Sequence, residues 1–136
     1  MDRSTQAIIQ DFLSEGPYAV AGASTDPEKY GHKVLRCYLQ HGREVYPLNP
    51  SASEVAGVKA YPDLASLPVI CPSLSVITPP PVTERLVDVA AQRGVKRIWM
   101  QPGAESPRAV ARAQELGMEV IAGGPCLLVV MGYREG

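Results

Sequence analysis

Cysteine, histidine, net charge and long apolar runs are all scarce in this sequence, and each shortage closes off a class of function. Its three cysteines, Cys37, Cys71 and Cys126, cannot all pair within one chain, and no two stand at CxxC spacing. His32 and His41 are the only histidines, and they complete no metal-ligand pattern with those thiols. A reduced, cytoplasmic protein is the expectation. The formal net charge of −1 over 136 residues argues against nucleic acid and anionic membranes as partners, since both select strongly basic surfaces. No apolar run reaches the ~18–20 residues needed to span a bilayer. The opening Met1-Asp2-Arg3-Ser4-Thr5 lacks the basic-then-apolar pattern of a secretion signal. A nucleophile elbow, a Walker loop and a metal cluster are also missing, so no catalytic machinery is expected.

What is present is an ordinary globular composition, 46% hydrophobic and 20% charged, at a length that suits one domain spanning residues 1–136. Ile8, Ile9, Phe12 and Leu13 mark one face of a helix ending at Gly16. Residues 18–21 read as a short buried strand, and Val34, Leu35, Tyr38 and Leu39 mark a helix over 31–41. A strand over 44–48 follows, whose Pro47 must sit where no ladder donor is required. Between residues 51 and 72 the pattern is weakest: it predicts a short helix at 53–56, a third strand at 58–61 and a helical turn at 63–66. A strand at 74–78 leads through Pro79-Pro80-Pro81 into a helix whose buried face is read as Val82, Leu86, Val87 and Ala90. A strand at 95–100 comes next, and Ser106 caps a helix that has Pro107 at its first position. Residues 119–122 and 127–131 read as extended. Short apolar strands alternating with amphipathic helices predict an α/β fold: a Rossmann-like doubly wound parallel β-sheet, three-layer αβα, in one domain. The expected strand order is 3-2-1-4-5.

In such a sheet the ligand crevice opens at the carboxyl ends of the strands, where the strand order reverses. Two loops meet there. The first, from Gly22 to Gly31, has the small residues that let a backbone approach phosphate, followed by a helix N-terminus. Lys29 and Lys33 can neutralise phosphate oxygens; the plainer alternative is a tight turn with two surface lysines. The second, Thr78-Pro79-Pro80-Pro81, offers a stiff apolar wall on which an adenine ring can pack, or simply a rigid helix entry. The dinucleotide signature G-x-G-x-x-G is incomplete, with Ser24 at its second glycine. Asn49 follows the second strand where an acidic residue would grip the ribose of NAD. His32 is the best acid-base candidate, Cys126 is a thiol that would react only if it faced the pocket, and both have simpler structural readings.

Val20-Ala21-Gly22-Ala23-Ser24, Pro27-Glu28-Lys29-Tyr30-Gly31, residues 45–50, Gly57-Val58-Lys59-Ala60-Tyr61, Thr78-Pro79-Pro80 and residues 98–103 fall in one order, with Cys126 late in the chain. Together they resemble the small stand-alone CoA-binding proteins, which are similar to the CoA-binding domain of the succinyl-CoA synthetase α subunit. The resemblance implies that Gly22, Ala23, Ser24 and Lys29 hold the diphosphate of coenzyme A. It places Asn49 and Pro50 at the adenosine end, Thr78 and Pro79 on the opposite wall, and Gln101 and Gly103 near the pantetheine arm. The function it implies is a CoA- or acyl-CoA-binding module without catalysis, with a protein partner or a homodimer as possible company. An NAD(P)-binding oxidoreductase and a subunit of an acyl-CoA synthetase-like enzyme are the alternatives.

Overall fold

Residues 3–135 are described by the computed structural model. The order is α1 (Thr5–Ser14), β1 (Tyr18–Ala21), α2 (Tyr30–Gln40), β2 (Val45–Leu48), β3 (Glu54–Val55), β4 (Val58–Lys59), β5 (Ser73–Val76), α3 (Pro80–Gln92), β6 (Arg97–Met100), α4 (Pro107–Glu115), β7 (Glu119–Ile121) and α5 (Leu127–Met131). Five strands form a parallel sheet in the order β2-β1-β5-β6-β7. The order reverses between β1 and β5, as the sequence predicts.

Alternate side chains on each strand point to opposite faces, so each strand serves two cores. On one face Leu74, Val76, Ile98 and Met100 pack with Val87 and Ala90 of α3 and Ala109 and Ala113 of α4. On the other, Tyr18, Val20, Trp99 and Ile121 meet Phe12 of α1, Val34, Leu35 and Tyr38 of α2, and Leu127 of α5. Here the central strand β5 presents only serines. Their small size leaves room for rings from its neighbours: Phe12 lies edge-on to Trp99 at 5.3 Å, and Tyr18 stacks on Tyr38 at 4.7 Å. Such pairs add about 0.5–1.5 kcal/mol each beyond simple burial. The serines are not left unpaired. Ser75 Oγ shares a 2.6 Å hydrogen bond with the Tyr38 hydroxyl, and Ser73 Oγ donates to the Glu15 carbonyl at 2.6 Å.

Four expectations change. Residues 53–56 are not helical: β3 and β4 pair as an antiparallel hairpin, because Ala56 (φ 50°) and Gly57 (φ 81°) both take the left-handed backbone of a two-residue hairpin turn. The third strand of the expected order shrinks to a single bridge between Tyr61 and Leu48. Tyr61 N donates to the Pro47 carbonyl and Asn49 N to the Tyr61 carbonyl, at 3.0 and 2.9 Å. Pro47 has no N–H to continue that ladder, so pairing stops there. On α3 the buried residues are Thr83, Val87 and Ala90, with Val82 outside, because Thr83 turns inward to bond the Thr78 carbonyl. Residues 127–131 form α5 rather than a strand. An unbroken apolar run carries no period to distinguish the two, and Gly132 (φ 76°) ends the helix in the left-handed region.

At the amino ends of the strands, Arg97 bonds Glu15 at 2.6 Å and Glu119 at 3.0 Å, while Lys96 bonds Glu15 at 3.0 Å. Hydrogen bonds from Lys96 and then Arg97 hold the Glu15 carboxyl below its ordinary value of 4.5. A carboxylate with a depressed folded pKa stabilises the fold fully above its unfolded pKa. That contribution fades as pH falls through the lower folded value. Glu15→Gln should therefore lower Tm at pH 7, and the gap to the native protein should close below pH 4.5, a trend that thermal melts across pH will check.

Among the described glycines, the closest backbone approach is between α2 and the end of β1. A Cβ on Gly31 would lie 2.0 Å from the Gly22 carbonyl oxygen, with the Ser24 amide 3.2 Å away. Gly31→Ala must push the helix off the strand, and a loss of roughly 3 kcal/mol in urea denaturation is expected.

Candidate functional site

The carboxyl ends of β1 and β5 flank an open crevice of about 580 Å³, within the roughly 300–1,000 Å³ usual for ligand sites. Gly22, Ser24, Lys29, Tyr30 and Gly31 line one side, Ile77, Thr78 and Pro79 the other, and Glu28 the rim. A groove of about 620 Å³ also runs between α3 and α4, lined by side chains of both signs such as Arg85, Arg108, Glu84 and Glu115. It follows the helix surfaces rather than the strand ends.

The loop leaving β1 is held by its own polar groups. Gly22 takes φ +90°, and a Cβ there would stand 3.1 Å from the Ile77 carbonyl carbon, so this glycine is required by the chain itself. Ser24 Oγ accepts from the Asp26 amide at 3.1 Å, and Asp26 Oδ1 from the Glu28 amide at 3.0 Å. Buried His32 lies 2.9 Å, through Nδ1, from the Ser24 carbonyl. A carbonyl only accepts, so Nδ1 carries the proton. From the other side Asn49 Nδ2 donates to the Ala23 carbonyl at 2.9 Å, while Asn49 Oδ1 accepts from the amides of Ser51 and Ala52 at 2.8 and 2.9 Å.

The two helices that start at the crevice differ sharply. α2 begins at Lys29 with no side-chain cap. The amides of His32 and Lys33 return to the Lys29 carbonyl, but no acceptor among the described residues meets those of Tyr30 and Gly31. Such free first-turn amides, at the positive end of the helix dipole, suit an anion. α3 has nothing comparable. Pro79, Pro80 and Pro81 carry no N–H, and the amides of Val82 and Thr83 both donate to the Pro79 carbonyl, at 2.9 and 3.0 Å. One helix start offers free amides and the other none, so on the second wall only Thr78 carries an N–H and a hydroxyl.

Of the residues singled out from sequence, the crevice brings together Gly22, Ser24, Lys29, Thr78 and Pro79. Ala23 is buried beneath the loop, and Asn49 braces it. Pro50, Gln101 and Gly103 do not line the cavity. Gln101 is buried: its Oε1 accepts from the Leu127 amide at 2.8 Å and its Nε2 donates to Cys126 Sγ at 3.4 Å, which ties α5 to the end of β6. Lys33 is taken up by Glu135 at 2.9 Å, whereas Lys29 forms no ion pair among the described residues. All three cysteines are free, and burial pushes the thiols of Cys37 and Cys71 up to about 11. Sequence reasoning passed over Tyr30 and Gly31. A glycine nine positions after Gly22, opening a helix, was the available sign of the close contact.

A parallel sheet covered on both faces, with its cavity at the point of strand reversal, defines a Rossmann-like domain whose crevice lies where this class takes its ligands. The chain belongs to the CoA-binding domain family, whose model matches residues 17–132. It is 30% identical to the α subunit of the ADP-forming acetate–CoA ligase II of Pyrococcus furiosus, over 91% of this chain and 29% of that subunit. The chain therefore spans under a third of that enzyme subunit. Over its own length it is 29% identical to the uncharacterized protein YneT of Bacillus subtilis, covering 89% of this chain and 90% of that one. Among solved structures, a hypothetical protein from Pyrococcus horikoshii OT3 superposes with a TM-score of 0.86 at 29% identity, over 93% of this chain and 89% of that one. The dinucleotide-forming acetyl-coenzyme A synthetase 1 of Ca. Korarchaeum cryptofilum matches with a TM-score of 0.67 at 34% identity, over 76% of this chain and 25% of the synthetase chain.

The bracing role of Asn49 has a measurable signature. Asn49→Ala removes three hydrogen bonds and should destabilise by about 1–2 kcal/mol, water replacing part of the loss at this half-buried site. Asn49→Asp keeps both acceptor bonds but sets a carboxylate oxygen against the Ala23 carbonyl, so urea denaturation at pH 7 should place it below the native protein.

Proposed function

We propose that this domain binds coenzyme A or an acyl-CoA in the β1–β5 crevice as a non-catalytic module that senses, carries or presents it. Membership of the CoA-binding domain family supports the ligand. The observation that carries the placement is the contrast between the two helix starts. The diphosphate sits at the free amides of Tyr30 and Gly31, with Lys29 as its counter-charge, and the apolar part lies along Ile77 and Pro79. Gly22 and Ser24 floor the anion site, and Thr78 borders it opposite. Asn49 leaves no acidic residue at the end of β2 to receive a ribose diol, which turns the crevice away from NAD.

The groups nearest to chemistry are committed elsewhere. His32 uses its Nδ1 proton to hold the loop, and the Cys37 and Cys71 thiols are buried and stay protonated at neutral pH. The free thiols fit a reducing cytoplasm, and among the described residues no helix is long and apolar enough to cross a membrane.

A second reading follows from the likeness to a ligase α subunit: the domain delivers CoA to a partner chain that supplies the nucleotide-handling parts. Copurification of a partner and CoA-dependent acyl transfer by the pair would favour it over a lone binding module.

Titration calorimetry and thermal shift against CoA, acetyl-CoA, ATP and NAD test the assignment. CoA at about a hundred times its Kd should add ~2.7 kcal/mol of stability, with NAD giving little. Lys29→Ala should weaken CoA by roughly tenfold and flatten the salt dependence of binding, the loss expected for one charge-assisted contact. Tighter binding of NAD than CoA, or no response to any CoA form, overturns the proposal.

A further inference from the structure

The chain has eight aromatic residues. Phe12, Tyr18, Tyr38 and Trp99 are buried, and Tyr46, Tyr61 and Tyr133 are partly covered. Tyr30 alone is exposed, at 62% of its surface, and it stands at the mouth of the crevice. Its ring is absent from every aromatic pair, and its hydroxyl from every hydrogen bond, among the described residues. Leaving a large ring in water forfeits about 1.5–3 kcal/mol that burial would supply, so the fold gives no reason for an aromatic here. Position gives one. Tyr30 is the first residue of α2, beside the free amides, and across the cavity stands Pro79.

We infer that Tyr30 is an aromatic jaw that closes on the adenine base of the ligand, holding it against Pro79 and Ile77. This rests on the CoA reading of the same crevice. The choice of base over pantetheine arm comes from the hydrogen-bonding character of the opposite wall. The prolines have no N–H, and the Pro79 carbonyl already accepts from the amides of Val82 and Thr83. The Thr78 hydroxyl is engaged with that of Thr83 at 2.8 Å. A pantetheine chain brings two amides, and between a tyrosine ring and Pro79 they lose water with only Thr78 at hand to replace it. A heteroaromatic plane loses little there, because its faces need only apolar and π contact.

The experiment measures binding of CoA, ADP and 4′-phosphopantetheine to the native protein and to Tyr30→Ala, Tyr30→Phe and Tyr30→Trp. Tyr30→Ala should weaken CoA and ADP by roughly 10- to 100-fold, the range seen for loss of one base stack, and leave phosphopantetheine unchanged. Tyr30→Phe should retain native affinity, since the contact is the ring and not the hydroxyl. Tyr30→Trp should add an indole whose emission is quenched on addition of ADP, against a constant background from buried Trp99. An unchanged Tm in each variant confirms that the fold is intact. Equal losses for phosphopantetheine and CoA would place the ring on the arm and overturn the inference, as would native affinity in Tyr30→Ala. A native protein that binds neither CoA nor ADP overturns the CoA reading itself, and this inference with it.

Discussion

The contact on which the rest depends is the one between the Gly31 backbone and the Gly22 carbonyl, where α2 is drawn against the end of β1 closely enough to exclude a single methyl group. That approach sets the direction of α2. It aims the free amides of Tyr30 and Gly31 across the sheet edge, and it forces the intervening residues to fold outward as a loop. The loop then needs internal bonds, and Ser24, Asp26, His32 and Asn49 supply them. Several polar residues near the crevice thus have structural work that precedes any contact with a ligand. A histidine beside a phosphate-sized notch invites a catalytic reading, but its carbonyl partner fixes both its ring and its tautomer.

Charge is sorted between the two ends of the sheet. At the amino ends of the strands, Arg97 and Lys96 engage Glu15 and Glu119 in a closed network that leaves little net field. At the carboxyl ends the positive field comes from backbone dipoles and Lys29, with no cluster of cations. This is how a chain of net charge −1 would present the proposed anion site. Main-chain amides have fixed directions and are not drawn into surface ion pairs, as Lys33 is by Glu135.

The sheet, its reversal point and the first four helices are legible in the sequence because each depends on local periodicity. The pairs Ser106–Pro107 and Pro79–Pro80 mark helix starts with chemistry that has few other uses. Legibility fails where the deciding partner lies far along the chain. The run from Leu127 to Met131 becomes a helix because Gln101, 26 residues earlier, receives the Leu127 amide. Residues 54–55 become a strand because β4 is there to pair with them through an Ala56–Gly57 turn. The site divides in the same way. Gly22, Ser24, Lys29, Thr78 and Pro79 follow from loop position, which topology fixes. Asn49 and Gln101 also sit at strand ends, yet their amides turn inward to loop and helix backbone, a choice that spacing alone does not encode.

The asymmetry of the crevice bears on what kind of device this domain is. A site that must stabilise developing charge needs donors converging from several directions on one reacting atom. Here the free helix amides come from one side only, and three successive prolines leave the facing helix start without any. On the proposed reading, such a surface orients a ligand that has one polyanionic segment and one flat apolar segment, with the remainder of that ligand outside. For coenzyme A, the remainder carries the thiol. On that same reading, the domain grips the handle and leaves the reactive end free for another protein or another domain to act on. The likeness to under a third of a ligase subunit fits that division of labour, since a handle-binding unit keeps its use whether it stands alone or is fused to the parts that do the chemistry.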